Sequence, residues 1–222
     1  LISTMSKKEE KLKEAVLTVF IDTTLEKEAF PLSVFKFCKE NNIEEKTFYK
    51  HFGSLDAVKA QIWEFFYDNA MGLLEKDATF ENASPKDKLL SFYFTFFEVL
   101  LLNRSYVLFS LSSHQSNMVK MSQLSKMRSS FKDFAEDLID TGNANKNESY
   151  LQHPPKIFSE GAWIQFAFLI KFWINDTSVD FEKTDQAIEK SVQTAFDLFD
   201  NTPLGTLVDF GKFLWKEKFV FN

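Results

Sequence analysis

Four lysines in the N-terminal third of the chain are the residues whose type and spacing best support a chemical role. Lys36, Lys39, Lys46 and Lys50 lie within the segment 31–54, where they could form one basic face. Such a face binds the phosphate oxygens of a nucleic acid and does not by itself catalyse a reaction. The segment also has the helix, turn, helix layout of an element that reads DNA. These residues therefore predict nucleic-acid binding.

Catalytic and metal chemistry find little support in the sequence. His51, His114 and His153 are far apart, and none of them pairs with a carboxylate at helical spacing. Cys38 is the single cysteine, so no intrachain disulfide and no cysteine-rich zinc framework can form. We expect no catalytic residues, no metal site and no cofactor, and a single cysteine favours a reducing, cytoplasmic setting.

Short helices must position the lysines. Residues 7–22 carry apolar side chains at the intervals of an amphipathic helix. A polar connector, residues 23–28, then leads to Ser33, which can cap a second helix. Asn42 tolerates the left-handed backbone that a tight turn requires, and a third helix is predicted at residues 44–51.

Beyond residue 54 the pattern predicts a long connecting helix and then a helical body. Ser84 and Pro85 are typical of a helix cap and a first turn. An Asn- and Gly-rich segment, residues 141–152, predicts a flexible loop. The predicted helices are 55–74, 85–102, 105–112, 117–140, 155–175, 182–200 and 204–218. Because no strand-like alternation is present, the chain is predicted to be all-α.

One motif is specific enough to suggest a family. The run Thr-Phe-Tyr-Lys-His-Phe-Gly-Ser, residues 47–54, resembles the end of the recognition helix in TetR-family repressors. That family typically has Thr-Leu-Tyr-Arg-His-Phe, then a small residue and Ser. Ile43 also stands where the family places the Val that closes the turn. The resemblance covers about the first 65 residues.

The resemblance implies a helix-turn-helix head at residues 1–67, joined by a long helix to a ligand-binding and dimerisation domain at residues 68–222. It further implies a homodimer that binds a palindromic double-stranded DNA operator and responds to a ligand. By this resemblance, Lys46 and Thr47 would reach base edges, and four further residues would meet phosphate or sugar, namely Ser33, Tyr49, Lys50 and His51. Together with the basic face, the residues expected at the DNA are Ser33, Lys36, Lys46, Thr47, Tyr49, Lys50 and His51.

Several positions depart from the family pattern. Phe35 replaces a common Arg, Glu44-Glu45 replaces Ser-Lys at the start of the recognition helix, and Leu55 replaces a Lys. The whole chain carries a net charge of -6, which is weak electrostatics for DNA binding. Two functions therefore stay open: a ligand-controlled DNA-binding regulator, or a TetR-fold lipid- or isoprenoid-binding protein that has lost DNA binding.

The chain contains 27 phenylalanines, and most of those in the body must form ordinary core. Aromatic and methionine side chains also suit a cavity for an apolar ligand. An apolar small molecule or lipid is therefore an expected partner. The candidate ligand-binding residues are Phe92, Phe96, Tyr106, Phe109, Met121, Phe131, Trp163 and Phe166.

Two stretches of the body, residues 162–173 and 187–199, are apolar over more than one helical face and must be covered. A partner subunit would cover them in a homodimer, and the alternative cover is the segment 204–221 of the same chain. The apolar runs 92–102 and 162–174 are shorter than the roughly 18 to 20 residues that cross a bilayer. We therefore expect no membrane span.

Overall fold

A computed structural model describes residues 2–112, 117–144 and 155–201 of the chain. These residues contain helices and no strand, which confirms the all-α prediction. A 3-10 helix, Val179–Phe181, precedes the last of them. The α-helices are α1 (Ile2–Lys27), α2 (Val34–Glu40), α3 (Glu45–His51), α4 (Leu55–Leu74), α5 (Ala78–Glu81), α6 (Pro85–Leu102), α7 (Arg104–Ser110), α8 (Asn117–Ala144), α9 (Pro155–Asn175) and α10 (Glu182–Asn201).

The chain divides into two compact units. Unit 1 consists of Leu1–Phe66 and Leu100–Met127, and unit 2 consists of Tyr67–Val99 and Arg128–Asn222. Unit 1 therefore contains α7 and the first part of α8 in addition to the helix-turn-helix. The division runs through three helices, α4, α6 and α8, each of which contributes residues to both units.

The predicted connector at residues 23–28 is wrong, because α1 continues to Lys27. Thr23 and Thr24 are buried, and their hydroxyls have partners inside the fold. The Thr24 hydroxyl donates to the Phe20 carbonyl at 2.7 Å, and the Thr23 hydroxyl donates to the Asn41 side-chain oxygen at 3.2 Å. Hydroxyls that bond back to the preceding turn can remain in a helix. The polar residues therefore predicted an end of α1 that the structure does not have.

The predicted helix-turn-helix is present in unit 1. Ser33 caps α2, because the Lys36 backbone N–H donates to its hydroxyl at 3.2 Å. Asn42 adopts a φ of 54° and closes the turn before α3, as predicted. Phe37 and Phe48 lie fully inside, with ring centroids 6.1 Å apart. This aromatic contact joins α2 to α3.

The body differs from the prediction at several points. Helix α5 and the 3-10 helix were not predicted, because both are too short for a periodic pattern. Helix α8 continues to Ala144, so the first four residues of the predicted loop 141–152 are helical. The Thr141 hydroxyl donates to the Asp137 carbonyl at 2.8 Å within that last turn. The rest of that loop, the predicted helix 204–218, His114 and His153 lie outside the described residues.

The prediction of no membrane span considered only the apolar run 162–174, which is shorter than α9. By length and composition it could cross a membrane, and no other single described helix meets that test. The core helix of a soluble protein meets the same test. One face of α9 is buried in unit 2, including Phe166, Leu169 and Trp173.

Candidate nucleic-acid interface and ligand-binding residues

The side chains predicted to meet DNA lie on α3 and at the start of α2, and these two helices pack against each other. Lys46, Tyr49 and Lys50 are exposed and are spaced three or four residues apart, so they share one side of α3. Phe48 points into the core from the opposite side. Ser33 and Lys36 are exposed on the first turn of α2, and Thr47 is half-buried. The folding of the head thus presents most of the predicted set to solvent.

Lys50 has an ion pair within its own chain. Its ammonium group hydrogen-bonds the carboxylate of Glu9 on α1, and both side chains are about half exposed. The hydrogen bond and charge of Lys50 lower the pKa of the Glu9 carboxyl. A DNA phosphate would have to displace Glu9 before it could use this charge. Within the described residues, no ion pair occupies Lys36 or Lys46.

Apolar and acidic side chains flank the basic ones. Leu32 is 87% exposed and Phe35 is 58% exposed. The Lys39 ammonium lies 5.8 Å from the centre of the Phe35 ring. Glu44 and Glu45 are exposed at the start of α3, and the Glu44 side chain makes no capping hydrogen bond. The candidate interface is therefore mixed in character.

His51 differs from the other predicted contacts. It is half-buried at the end of α3, and its ring lies against Phe52 with centroids 6.4 Å apart. Its Nε2 atom is buried and has no hydrogen-bond partner in the described part of the chain. In this conformation that nitrogen does not reach the surface.

Five of the eight predicted ligand-binding residues form one aromatic cluster in unit 2. Phe131 lies at its centre, and its ring centroid is 5.3 Å from Phe92 and 5.4 Å from Phe166. Phe166 in turn lies 5.5 Å from Phe96 and stacks on Trp163 at 5.1 Å. Rings at these separations are in contact. In this conformation the four phenylalanines are buried and fill the interior of the unit, and Trp163 is half-buried beside them.

The other three predicted residues belong to unit 1. Tyr106 is fully buried on α7, and Phe109 is half-buried with its ring 5.1 Å from that of Phe30. Met121 is 57% exposed on α8. The structure thus divides the predicted ligand set between the two units.

Two buried polar residues of unit 1 were missed by the sequence prediction. Trp63 on α4 and Gln123 on α8 are almost fully buried. The Trp63 ring nitrogen and the Gln123 side-chain oxygen have no hydrogen-bond partner among the described residues, and the same is true of the Tyr106 hydroxyl. Leaving such a group unpaired costs about 1 to 3 kcal/mol. Gln123 had a usable signal, because it interrupts an apolar stripe with Met127 and Phe131.

Unit 2 also has an open groove of about 450 Å³ at the junction of α9 and α10. Asp176 lies in this junction, where its carboxylate accepts hydrogen bonds from the backbone N–H and hydroxyl of Ser178 and of Thr184, at 2.6–2.9 Å. These bonds hold the pKa of Asp176 well below its usual range. The residues lining the groove are Phe168, Lys171, Phe172, Asn175, Asp176, Thr177 and Lys183.

Comparison with known proteins identifies the body of the chain. Residues 88–214 match the family described as "Tetracyclin repressor-like, C-terminal domain", and this match covers more than half of the sequence. The chain belongs to the TetR family. The match lies in the body, whereas the motif Thr47–Ser54 lies in the head, so the two observations support the TetR assignment independently.

A solved structure has a similar fold. It is a protein from Syntrophomonas wolfei str. Goettingen that is assigned to the TetR family of transcriptional regulators. The TM-score is 0.62 at 15% sequence identity, and the match covers 88% of this chain and 98% of that chain. No curated protein matches the sequence. Among the described residues of this TetR-family chain, no three His, Cys, Asp or Glu side chains group together as metal ligands would.

Proposed function

We propose that this TetR-family protein is a DNA-binding transcriptional regulator controlled by an apolar or aromatic small molecule or a lipid. The observation that carries the proposal is the exposed side of α3, where Lys46, Tyr49 and Lys50 project from a helix-turn-helix. Recognition helices of this kind enter the major groove of DNA. Lys46 and Thr47 would reach base edges, while Ser33, Lys36, Tyr49, Lys50 and His51 would meet the sugar-phosphate backbone.

We further propose that the protein acts in the cytoplasm as a homodimer on a palindromic operator. Ile164 and Phe168 lie one turn apart on α9 and are 43% and 53% exposed. Burying these side chains against a second copy would remove apolar surface from water. A two-fold dimer would present two recognition helices related by symmetry, and such a pair would bind a palindromic site.

Ligand control would act as a shift between head arrangements. A ligand that binds one arrangement more tightly increases its population. Tyr106 and Phe109 lie on α7, and Phe109 packs against Phe30, which precedes the helix-turn-helix. A ligand beside Tyr106 could therefore displace Phe109 and Phe30, and with them the helix-turn-helix, without touching the residues that contact DNA.

The test is fluorescence anisotropy with DNA from upstream of the protein's own gene. We expect binding at low salt that weakens steeply as salt increases, because lysines release counterions from the DNA. A scrambled sequence of the same length is the control for specificity. If no binding that depends on salt is detected for either DNA, the regulator proposal is wrong.

The second candidate is a TetR-fold lipid- or isoprenoid-binding protein without DNA binding. Three features of this surface favour it. Glu9 neutralises the charge of Lys50, the exposed Glu44 repels phosphate, and the exposed Phe35 contributes no positive charge. It predicts a co-purifying lipid together with no affinity for DNA. Solvent extraction of the purified protein, followed by mass spectrometry, tests the first of these expectations.

A further inference from the structure

Three polar atoms that belong to almost fully buried side chains of unit 1 lack hydrogen-bond partners in the described part of the chain. They are the ring nitrogen of Trp63, the hydroxyl of Tyr106 and the side-chain oxygen of Gln123, and all three side chains are at most 1% exposed. Buried polar groups in folded proteins are nearly always paired. These three groups therefore require partners that the described residues do not supply.

Contacts within unit 1 connect the three residues. The Phe66 ring lies 5.8 Å from Trp63 and 6.5 Å from Tyr106. The Gln123 amide nitrogen donates to the backbone carbonyl of Ser110 at 2.8 Å. Ser110 is four residues after Tyr106 on α7, so the two lie on the same side of that helix. These contacts link α4 to α7 and α7 to α8 next to the three side chains.

A second contact brings the same two long helices together. The Lys126 ammonium on α8 donates to the Gln61 side-chain oxygen on α4 at 3.0 Å. Gln61 lies two residues before Trp63, and Lys126 lies one turn after Gln123. This bond keeps the segment of α4 that carries Trp63 and the segment of α8 that carries Gln123 in the same part of unit 1.

The three atoms offer a specific combination of hydrogen-bonding groups. The indole N–H can only donate. The Ser110 carbonyl can only accept a hydrogen bond, so it must face the NH2 group of Gln123. The Gln123 oxygen therefore remains available, and it can only accept a hydrogen bond. Burial raises the pKa of Tyr106 well above its usual range, which keeps its hydroxyl protonated.

A hydroxyl group satisfies this combination. It can accept from Trp63, donate to Gln123 and pair with Tyr106 at the same time. A carboxylate has no hydrogen to give to the Gln123 oxygen, and it would lose its hydration among Phe66 and the other buried apolar side chains. We propose that Trp63, Tyr106 and Gln123 bind the hydroxyl of an otherwise apolar ligand, an alcohol or a phenol. This assignment rests on the proposed control by a ligand and names the ligand's chemistry.

Matched pairs of probes test the assignment. Isothermal titration would compare 1-hexanol with hexanoate and 1-decanol with decanoate on the full-length protein. We expect at least one alcohol to bind about tenfold or more tightly than its carboxylate, because only the hydroxyl pairs with all three groups. Equal or tighter binding of the carboxylates would overturn the assignment. Absence of binding by all four probes would do so too, since the three atoms would then serve an ordered water alone.

Two Tyr to Phe variants locate the effect. Tyr106→Phe removes a hydroxyl without changing packing, and we expect it to lower alcohol affinity about fivefold to tenfold. Tyr93→Phe is the matched control, because Tyr93 is equally buried in unit 2 and its hydroxyl donates to the Ala162 carbonyl at 3.3 Å. Alcohol affinity that falls equally in both variants, or in neither, would contradict the assignment.

The outcome is separable from that of the DNA proposal. A protein that binds its upstream DNA but shows no preference for alcohols overturns this assignment and leaves the DNA-binding proposal standing. A protein that prefers alcohols and binds no DNA supports this assignment and overturns the DNA-binding proposal.

Discussion

The two units of this TetR-family chain differ in how they treat polar groups. The interior of unit 2 is filled by aromatic rings in mutual contact around Phe131, and its buried Asp176 carboxylate is fully hydrogen-bonded. Unit 1 instead contains three almost fully buried side chains, Trp63, Tyr106 and Gln123, each with a polar atom that has no hydrogen-bond partner among the described residues, and it presents the exposed lysines of α3. Aromatic content and unsatisfied hydrogen-bonding capacity therefore point to different units of the molecule as the place where a ligand binds.

The largest expected effect tests whether the aromatic cluster of unit 2 is a packed core. Phe131→Ala removes the central ring, and we expect it to lower the free energy of unfolding by about 3 to 5 kcal/mol. Urea denaturation measures this. Phe35→Ala is the control, because Phe35 is 58% exposed and a surface change of this kind costs about 0.5 kcal/mol or less. A cost below about 1 kcal/mol for Phe131→Ala would mean that the cluster has room for a ligand.

The next effect concerns the exposed helix of unit 1. Lys50→Glu replaces the ammonium group opposite Glu9 with a second carboxylate. This carboxylate would also face the DNA. We expect operator affinity to fall at least about tenfold, with a shallower salt dependence. Anisotropy measures the binding, and sedimentation should show an unchanged oligomeric state. Lys190→Glu makes the same change of net charge at an exposed position of α10. An equal loss of affinity in that variant would show that only net charge matters.

A third prediction concerns Asp176 in unit 2, whose folded-state pKa is depressed by its hydrogen bonds. Such a group stabilises the fold above the pKa of the unfolded chain, about 3.9. The contribution declines as the pH falls below that value, because the unfolded chain binds the proton first. Asp176→Asn should lower the melting temperature at neutral pH by a few degrees and flatten the decline below about pH 4.

Thermal melts between neutral and acid pH measure this effect. Asp77→Asn is a useful contrast, because Asp77 accepts hydrogen bonds from Thr79 at an exposed helix start. A change of equal size in both variants would mean that the junction of α9 and α10 does not depend on Asp176 in particular.

The smallest effect tests the competition between Glu9 and DNA for Lys50. Glu9→Gln removes the charge that pairs with Lys50, and exposed ion pairs of this kind are weak. We expect operator affinity to increase about threefold at low salt. Glu160→Gln gives the same change of net charge in unit 2, where Glu160 pairs with Arg128 and Lys132. Equal gains in the two variants would contradict a local role for Glu9.

Helix bounds were predictable where strong local signals mark them. Leu55–Leu74, Pro85–Leu102 and Pro155–Asn175 have the predicted limits, because a capping Ser54, a first-turn Pro85 and a first-turn Pro155 act within one turn of the chain. The end of α1 was not predictable. Thr23 and Thr24 are polar in the sequence. Thr24 bonds back to the preceding turn of α1, but only the folded chain brings Asn41 to the hydroxyl of Thr23.

By itself, the sequence determined that this protein is all-α and that residues 47–54 carry the motif typical of the recognition-helix end in the TetR family. Helical periodicity, caps and a contiguous motif are local, so they are visible without the fold. Tertiary structure alone decided that Lys50 meets Glu9 across 41 positions and that Phe92 and Phe131 fill a core. It also decided that the Trp63 ring nitrogen and the Gln123 side-chain oxygen are buried with no hydrogen-bond partner among the described residues. Burial and pairing depend on residues far apart in the chain, and no local pattern records them.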